Sequence, residues 1–416
     1  MVKKLIFCTL TISFNHKPSA MKHLKLLMGA AAFSFILMTG CKKDIAPQTA
    51  PDPVQIQDKL SNNPSAPSAL KVKLKSLRST LPAGSEKRLQ KTAGFLTKQN
   101  PEYGALLRRI FKMDPAECDA NTPLNQWLDQ QLADWDDEVF YLASVSGMLI
   151  FPTYDALLFE NSSANQHFGV KGEYTQRVTK TFKDLKRFWN IESGGMVLAA
   201  MHGSMLRDRE KLIRIDMILY GDDQPTAEFW ADLILLLLRE VPQYRNGDHP
   251  IFTFNAYAQD SFEFPPYGII PKKIVMGDGI MEAYTAIGYN DVAPQAILAH
   301  EFGHQVQYQL NLFEGEGPEA TRRTELMADA FSAYYLSHAR GASMQWKRVK
   351  QFLQVFFNIG DCAFDSFDHH GTPKQRMAAA EWAYHLADNA QKQGHILTAQ
   401  AFSTLFDAQL PLLVAY

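Results

Sequence analysis

Ala296-Ile297-Leu298-Ala299-His300-Glu301-Phe302-Gly303-His304-Gln305-Val306-Gln307 is the stretch on which the reading of this chain turns. Ile297, Leu298, Phe302 and Val306 recur at helical spacing, Pro294 is tolerated in a first helical turn, and Asp291 is placed to cap it. On such a helix His300 and His304, four residues apart, stand one above the other. Both imidazoles then reach a single Zn²⁺, with Glu301 beside them as a base. Twelve His among 416 residues produce H-E-x-x-H by chance in about two chains per hundred, so the surroundings must decide. A catalytic site of this kind takes a third protein ligand and leaves its fourth position open. Gln307 and Leu310 occupy the places where a metzincin carries Gly and His, which leaves a carboxylate from a later helix.

Such a helix follows in Thr321-Arg322-Arg323-Thr324-Glu325-Leu326-Met327-Ala328-Asp329-Ala330-Phe331-Ser332-Ala333-Tyr334-Tyr335, with twenty residues between His304 and Glu325. Glu325 and Asp329 share one face. The ordinary alternative for two acids at this spacing is a solvated surface. Here they are embedded among Leu326, Met327, Ala328, Ala330, Phe331 and Ala333, which is poor company for solvated charge. Glu325 is the expected third metal ligand, and Asp329 the expected acceptor of a ligand imidazole's second N–H.

Four blocks in order carry a resemblance: H-E-F-G-H-Q-V-Q from His300, R-x-E-L-x-A-D-x-F-x-A-Y from Arg323, Ile359-Gly360-Asp361, and His370-Gly371-Thr372-Pro373-Lys374-Gln375-Arg376. Over about residues 270–385 the chain resembles the bacterial family of neutral zinc metallopeptidases, which are similar to gluzincins in ligand arrangement. The resemblance implies a mostly helical α+β, zincin-like domain with a small sheet packed on the H-E-x-x-H helix. It also implies one zinc per chain and hydrolysis of a peptide or protein substrate. Residue by residue it makes His300 and His304 ligands, Glu301 the base and Glu325 the third ligand. His370 lies in the last block and is the candidate oxyanion donor, with a structural loop His as the alternative. Arg376 is expected to hold that loop by pairing with an acid.

Zincin-like peptidases hold an extended substrate against the edge strand before the ligand helix, a form of strand addition. Two runs here are strand-like, 251–257 and 269–276, the second broken by Pro271. Lys273 to Met276 is the preferred edge, with Gly277-Asp278-Gly279 turning the chain away. Gly303 costs helix propensity between two ligands, which calls for close approach of another backbone.

Upstream, residues 1–20 read as an extension before the real start. Residues 21–40 read as a signal peptide: Lys22, His23 and Lys25 precede an apolar run that is too short to span a membrane. Leu37-Met38-Thr39-Gly40-Cys41 resembles a bacterial lipoprotein cleavage box, which makes Cys41 the lipidation candidate and places the protein in the cell envelope, tethered without spanning. The alternatives are a plain secretory signal or a short anchor. Residues 41–70 are rich in Pro, Gln, Ser, Asn and Asp and read as a flexible tether. Residues 71–99 are basic and read as a solvated or membrane-near helix or linker.

From residue 100 to 416 the chain reads as one large domain or two fused ones, with ample apolar content for a core. Residues 126–151 read as a helix and an apolar run, 178–191 as an amphipathic helix, 196–200 as a buried strand leading to His202, and 227–241 as a buried helix. His202 is a minor functional candidate beside the commoner structural role. Cys118 and Cys362 are open to one disulfide or to two separate buried thiols. No phosphate-binding glycine loop, nucleophile elbow or internal repeat is present. With 42 basic and 44 acidic residues, net −2, nucleic acid is not an expected partner. The rival from another class is a non-catalytic lipoprotein using the same scaffold for binding or assembly; the intact ligand set and base argue for the enzyme.

Overall fold

The computed structural model describes residues 2–6, 11–15, 68–99, 123–313, 315, 317–357, 371–393 and 395–415. Two short strands, β1 (Val2–Ile6) and β2 (Thr11–Asn15), form an antiparallel hairpin. Helices α1 (Ser68–Arg78), α2 (Ser85–Gln99), α3 (Pro123–Gln131), α4 (Asp137–Ser146), α5 (Phe151–Leu158) and α6 (Thr175–Phe188) follow. Strand β3 (Val197–Met201) leads to α7 (Arg209–Tyr220) and α8 (Gln224–Glu240), then to β4 (Ala256–Gln259), β5 (Phe262–Glu263), β6 (Ile269–Ile270) and β7 (Lys273–Gly277). The C-terminal part is helical: α9 (Asp278–Ala286), α10 (Ala293–Leu310), α11 (Pro318–Ser337), α12 (Trp346–Phe357), α13 (Pro373–Gln393) and α14 (Ala399–Leu413). The whole is mostly helical α+β.

The sheet beside α10 has the order β3-β7-β4, with β3 parallel and β4 antiparallel to β7. This corrects the expected edge. The strand begins only after Pro271, and Lys273 to Met276 are all buried between two partners, the pattern of a central strand. The outer strands of this sheet are β3 and β4. The run 251–257 also divides, into a 3₁₀ turn over Pro250–Thr253 and the strand Ala256–Gln259. Gly277 has a specific cause: a Cβ there would stand 2.1 Å from the Thr253 carbonyl oxygen and 2.4 Å from that of Asn255. Only glycine lets β7 pass so close to that backbone before α9 begins.

Lys273 shows how β7 is held in place. Its Nζ is buried and donates to the carbonyls of Ala156 (3.1 Å), Leu157 (3.0 Å) and Glu160 (2.8 Å) and to Asn161 Oδ1 (2.6 Å). Three of these acceptors are main-chain carbonyls at and just beyond the end of α5, so one ammonium satisfies a helix terminus and locks it to the sheet. Burial draws the Lys273 pKa down to about 7.

Residues 71–99 are helical but neither solvated nor a linker, which moves the start of the packed body to residue 68. Leu74, Leu89, Ala93 and Leu96 enter the core. Arg88 donates to the carbonyls of Val145 (2.8 Å) and Ser146 (3.1 Å), pairs with Asp216 and Asp222, and lies 3.5 Å from the Tyr220 ring centroid. A basic composition here conceals an amphipathic pair of helices anchored by one buried guanidinium. The 126–151 region is also subdivided, into α3, α4 and the start of α5. Residues Asp137–Leu158 have the length and hydropathy of a membrane span, but the apolar window within them is entirely buried in this fold and is part of its core. The amphipathic helix, the buried strand before His202 and the buried helix near 227–241 appear as α6, β3 and α8.

Candidate metal centre

The ligand helix α10 starts at Ala293 with Pro294 in its first turn and ends at Asn311, whose left-handed φ of 54° suits asparagine. Its start carries no side-chain cap. Asp291, expected there, instead binds Arg348 through both carboxylate oxygens, at 2.9 and 2.7 Å. Three surfaces bury α10. Phe302 meets Phe182 of α6 edge-on at 6.3 Å. Gln305 Nε2 donates to the carbonyls of Gln259 (2.8 Å) and Lys273 (2.9 Å), fastening the helix to the ends of β4 and β7. The third surface is α11, where a Cβ at Gly303 would lie 3.1 Å from Ala328 Cα. The glycine between the two histidines therefore marks a close helix crossing, as its sequence position implied.

That crossing brings His300, His304 and Glu325 together as a group able to hold one metal ion, with ligand atoms within 4.8 Å of one another. His300 Nε2 stands 3.4 Å from Glu325 Oε2, and His304 Nε2 stands 3.5 Å from Glu325 Oε1. These spacings decide what the contact is. A charge-assisted hydrogen bond closes to about 2.7–2.9 Å, whereas ligands about 2.0–2.1 Å from a tetrahedral ion sit about 3.3 Å from one another. His300 Nε2 is buried, and its 3.4 Å approach to Glu325 does not close to a hydrogen bond; a cation at the centre would satisfy it. The residues present fit a metal.

Each imidazole is gripped from behind. His300 Nδ1 lies 2.9 Å from Asp329 Oδ1, the partner expected from sequence. Asp329 in turn accepts from Arg376 Nε (2.7 Å) and from its terminal nitrogen (2.9 Å), and both side chains are 1% exposed. Arg376 thus pairs with an acid, but one that supports a ligand. Its guanidinium also lies 4.5 Å from the Phe357 ring centroid and 5.4 Å from that of Phe356. His304 Nδ1 is 2.8 Å from Gln307 Oε1.

Burial opposes charge on His300, but the Asp329 and Glu325 carboxylates outweigh it and carry the metal-free ring's pKa up to about 10. For His304 burial prevails and the pKa falls. Glu301, on the same helix between the two histidines, is 2% exposed, and His300, His304 and Glu325 are 2%, 0% and 1% exposed.

His202 joins a different pair. It follows β3 as Asp278 follows β7, and the parallel register Met201↔Gly277 sets them side by side. His202 Nδ1 lies 2.7 Å from Asp278 Oδ2, and its ring stacks on His167 at 4.1 Å. In the sequence Gln307 stands out as a departure from the metzincin pattern and as the last residue of the H-E-F-G-H-Q-V-Q block, with no role attached. Its spacing of three residues from His304 was the available signal. His370, Cys41, Cys118, Cys362 and the Ile359-Gly360-Asp361 block lie outside the described residues. No protein-family model, curated protein or solved structure matches the chain, so the likeness to zinc metallopeptidases rests on the four sequence blocks alone.

Proposed function

We propose that this protein is a zinc-dependent metallopeptidase, tethered in the bacterial cell envelope through Cys41, with a zincin-like domain. The observation that carries the reading is the ligand spacing of 3.4 and 3.5 Å between two imidazoles and one carboxylate, with a second carboxylate, Glu301, built into the same helix. Zinc, when bound, supplies a Lewis acid and draws the pKa of water toward about 7. His300, His304 and Glu325 hold it. Glu301 takes the proton of the attacking water and returns it to the leaving amine. On the resemblance alone, His370 is assigned to the oxyanion.

A second reading has one observation in its favour. All three ligands and Glu301 are buried, as in a closed structural site, which suits a binding scaffold that keeps its metal without turnover. Cleavage of a broad peptide pool by the chain from Lys42 onward separates the two. The peptidase reading expects cleavage that a chelator abolishes and added zinc restores. A zinc-loaded protein that cuts nothing in the pool supports the scaffold.

A further inference from the structure

Gln307 stands between the second imidazole and the backbone of α11. Its Nε2 donates to the Thr324 carbonyl oxygen at 2.7 Å. A carbonyl only accepts, so the orientation of the amide is determined and Oε1 must be the end that faces His304 Nδ1, 2.8 Å away. An amide oxygen also only accepts. His304 therefore carries its proton on Nδ1 and presents a bare lone pair on Nε2, the nitrogen facing Glu325. Gln307 is 1% exposed and lies one turn beyond His304 on the same helical face.

From this geometry we infer that Gln307 is a positioning residue of the metal centre, acting on two ligands at once. It sets the tautomer and ring plane of His304. By gripping the carbonyl of the residue immediately before Glu325, it also sets the distance between α10 and the third ligand. The two imidazoles are thus oriented by different chemistry, a carboxylate behind His300 and a neutral amide behind His304. The difference has an electrostatic reason. With a dication bound, the charges of Glu301, Glu325 and Asp329 are balanced by the metal and Arg376, so a carboxylate at position 307 would add an uncompensated buried anion. The inference rests on the metal-binding reading but not on peptidase activity.

The test is zinc affinity by competition with a chromophoric chelator, together with the visible spectrum of the Co²⁺-loaded protein, in wild type, Gln307→Met and Gln307→Glu. A thermal melt of each metal-free protein checks the fold. Gln307→Met has similar volume and neither hydrogen bond; it is expected to fold, to bind zinc about 10–100-fold more weakly and to shift the cobalt bands. Gln307→Glu keeps an acceptor for Nδ1–H and is expected to retain the wild-type cobalt bands more closely than Gln307→Met does. Wild-type zinc affinity and an unchanged cobalt spectrum in Gln307→Met would overturn the inference while leaving the metal site intact. If Gln307→Met does not fold, Gln307→Asn, one methylene too short to span the gap, is judged by the same two readouts. Absence of zinc binding in the wild type would overturn both this inference and the metal reading.

Discussion

Glu301→Gln is expected to keep about one zinc per chain and to lower peptide turnover by about 10²–10⁴-fold, the contribution of a positioned general base. The residue is buried on α10 between the two histidines and is not one of the three residues grouped as able to hold a metal. The amide is isosteric, cannot accept the water's proton, and leaves the helix packing untouched. The measurement pairs metal content with turnover on one preparation. Unchanged turnover would remove Glu301 from the mechanism, and loss of zinc would make it a ligand.

Arg376→Met is expected to cost about 3–5 kcal/mol of stability, since removing one partner of a buried ion pair strands the other charge. Asp329 would be that stranded charge, 1% exposed, with His300 as its remaining close partner. For a domain of this size the loss corresponds to a fall in Tm of about 10 °C. The pair sits behind His300, so zinc affinity should fall as well. Adding Asp329→Leu removes the stranded anion and should recover much of the stability but not the affinity. Equal melting of wild type and Arg376→Met would show that the pair contributes nothing to the fold.

That His300, His304 and Glu325 can share one metal ion is legible because the pattern is local. The spacing of His300 and His304 survives any tertiary arrangement, and Glu325 and Asp329 betrayed themselves as acids in an apolar helix. Gly303 was legible for the same reason: a poor helix former between two ligands needs a packing cause. Sheet order was not legible. Whether Lys273 to Met276 is an edge or a centre depends on β3, more than 70 residues away in sequence, and no local signal encodes that distant pairing. The helices within 71–99 are legible in the sequence but their packing is not, because composition weighs exposed lysines equally with Leu74, Leu89 and Arg88, which face inward. Asp291 resembled a cap by position, yet Arg348, 57 residues on, claims it. Gln307 lies in the H-E-F-G-H-Q-V-Q block, but its residue type assigns it no role there; only the direction of its two hydrogen bonds does.

The most direct test of the central claim is zinc per chain, measured by elemental analysis on the chain from Lys42 onward, wild type beside His304→Ala and Glu325→Ala. The account predicts about one zinc per wild-type chain and almost none in either variant, with all three proteins folded. A folded wild type that takes up no zinc, or a Glu325→Ala chain that keeps its full complement, would contradict it.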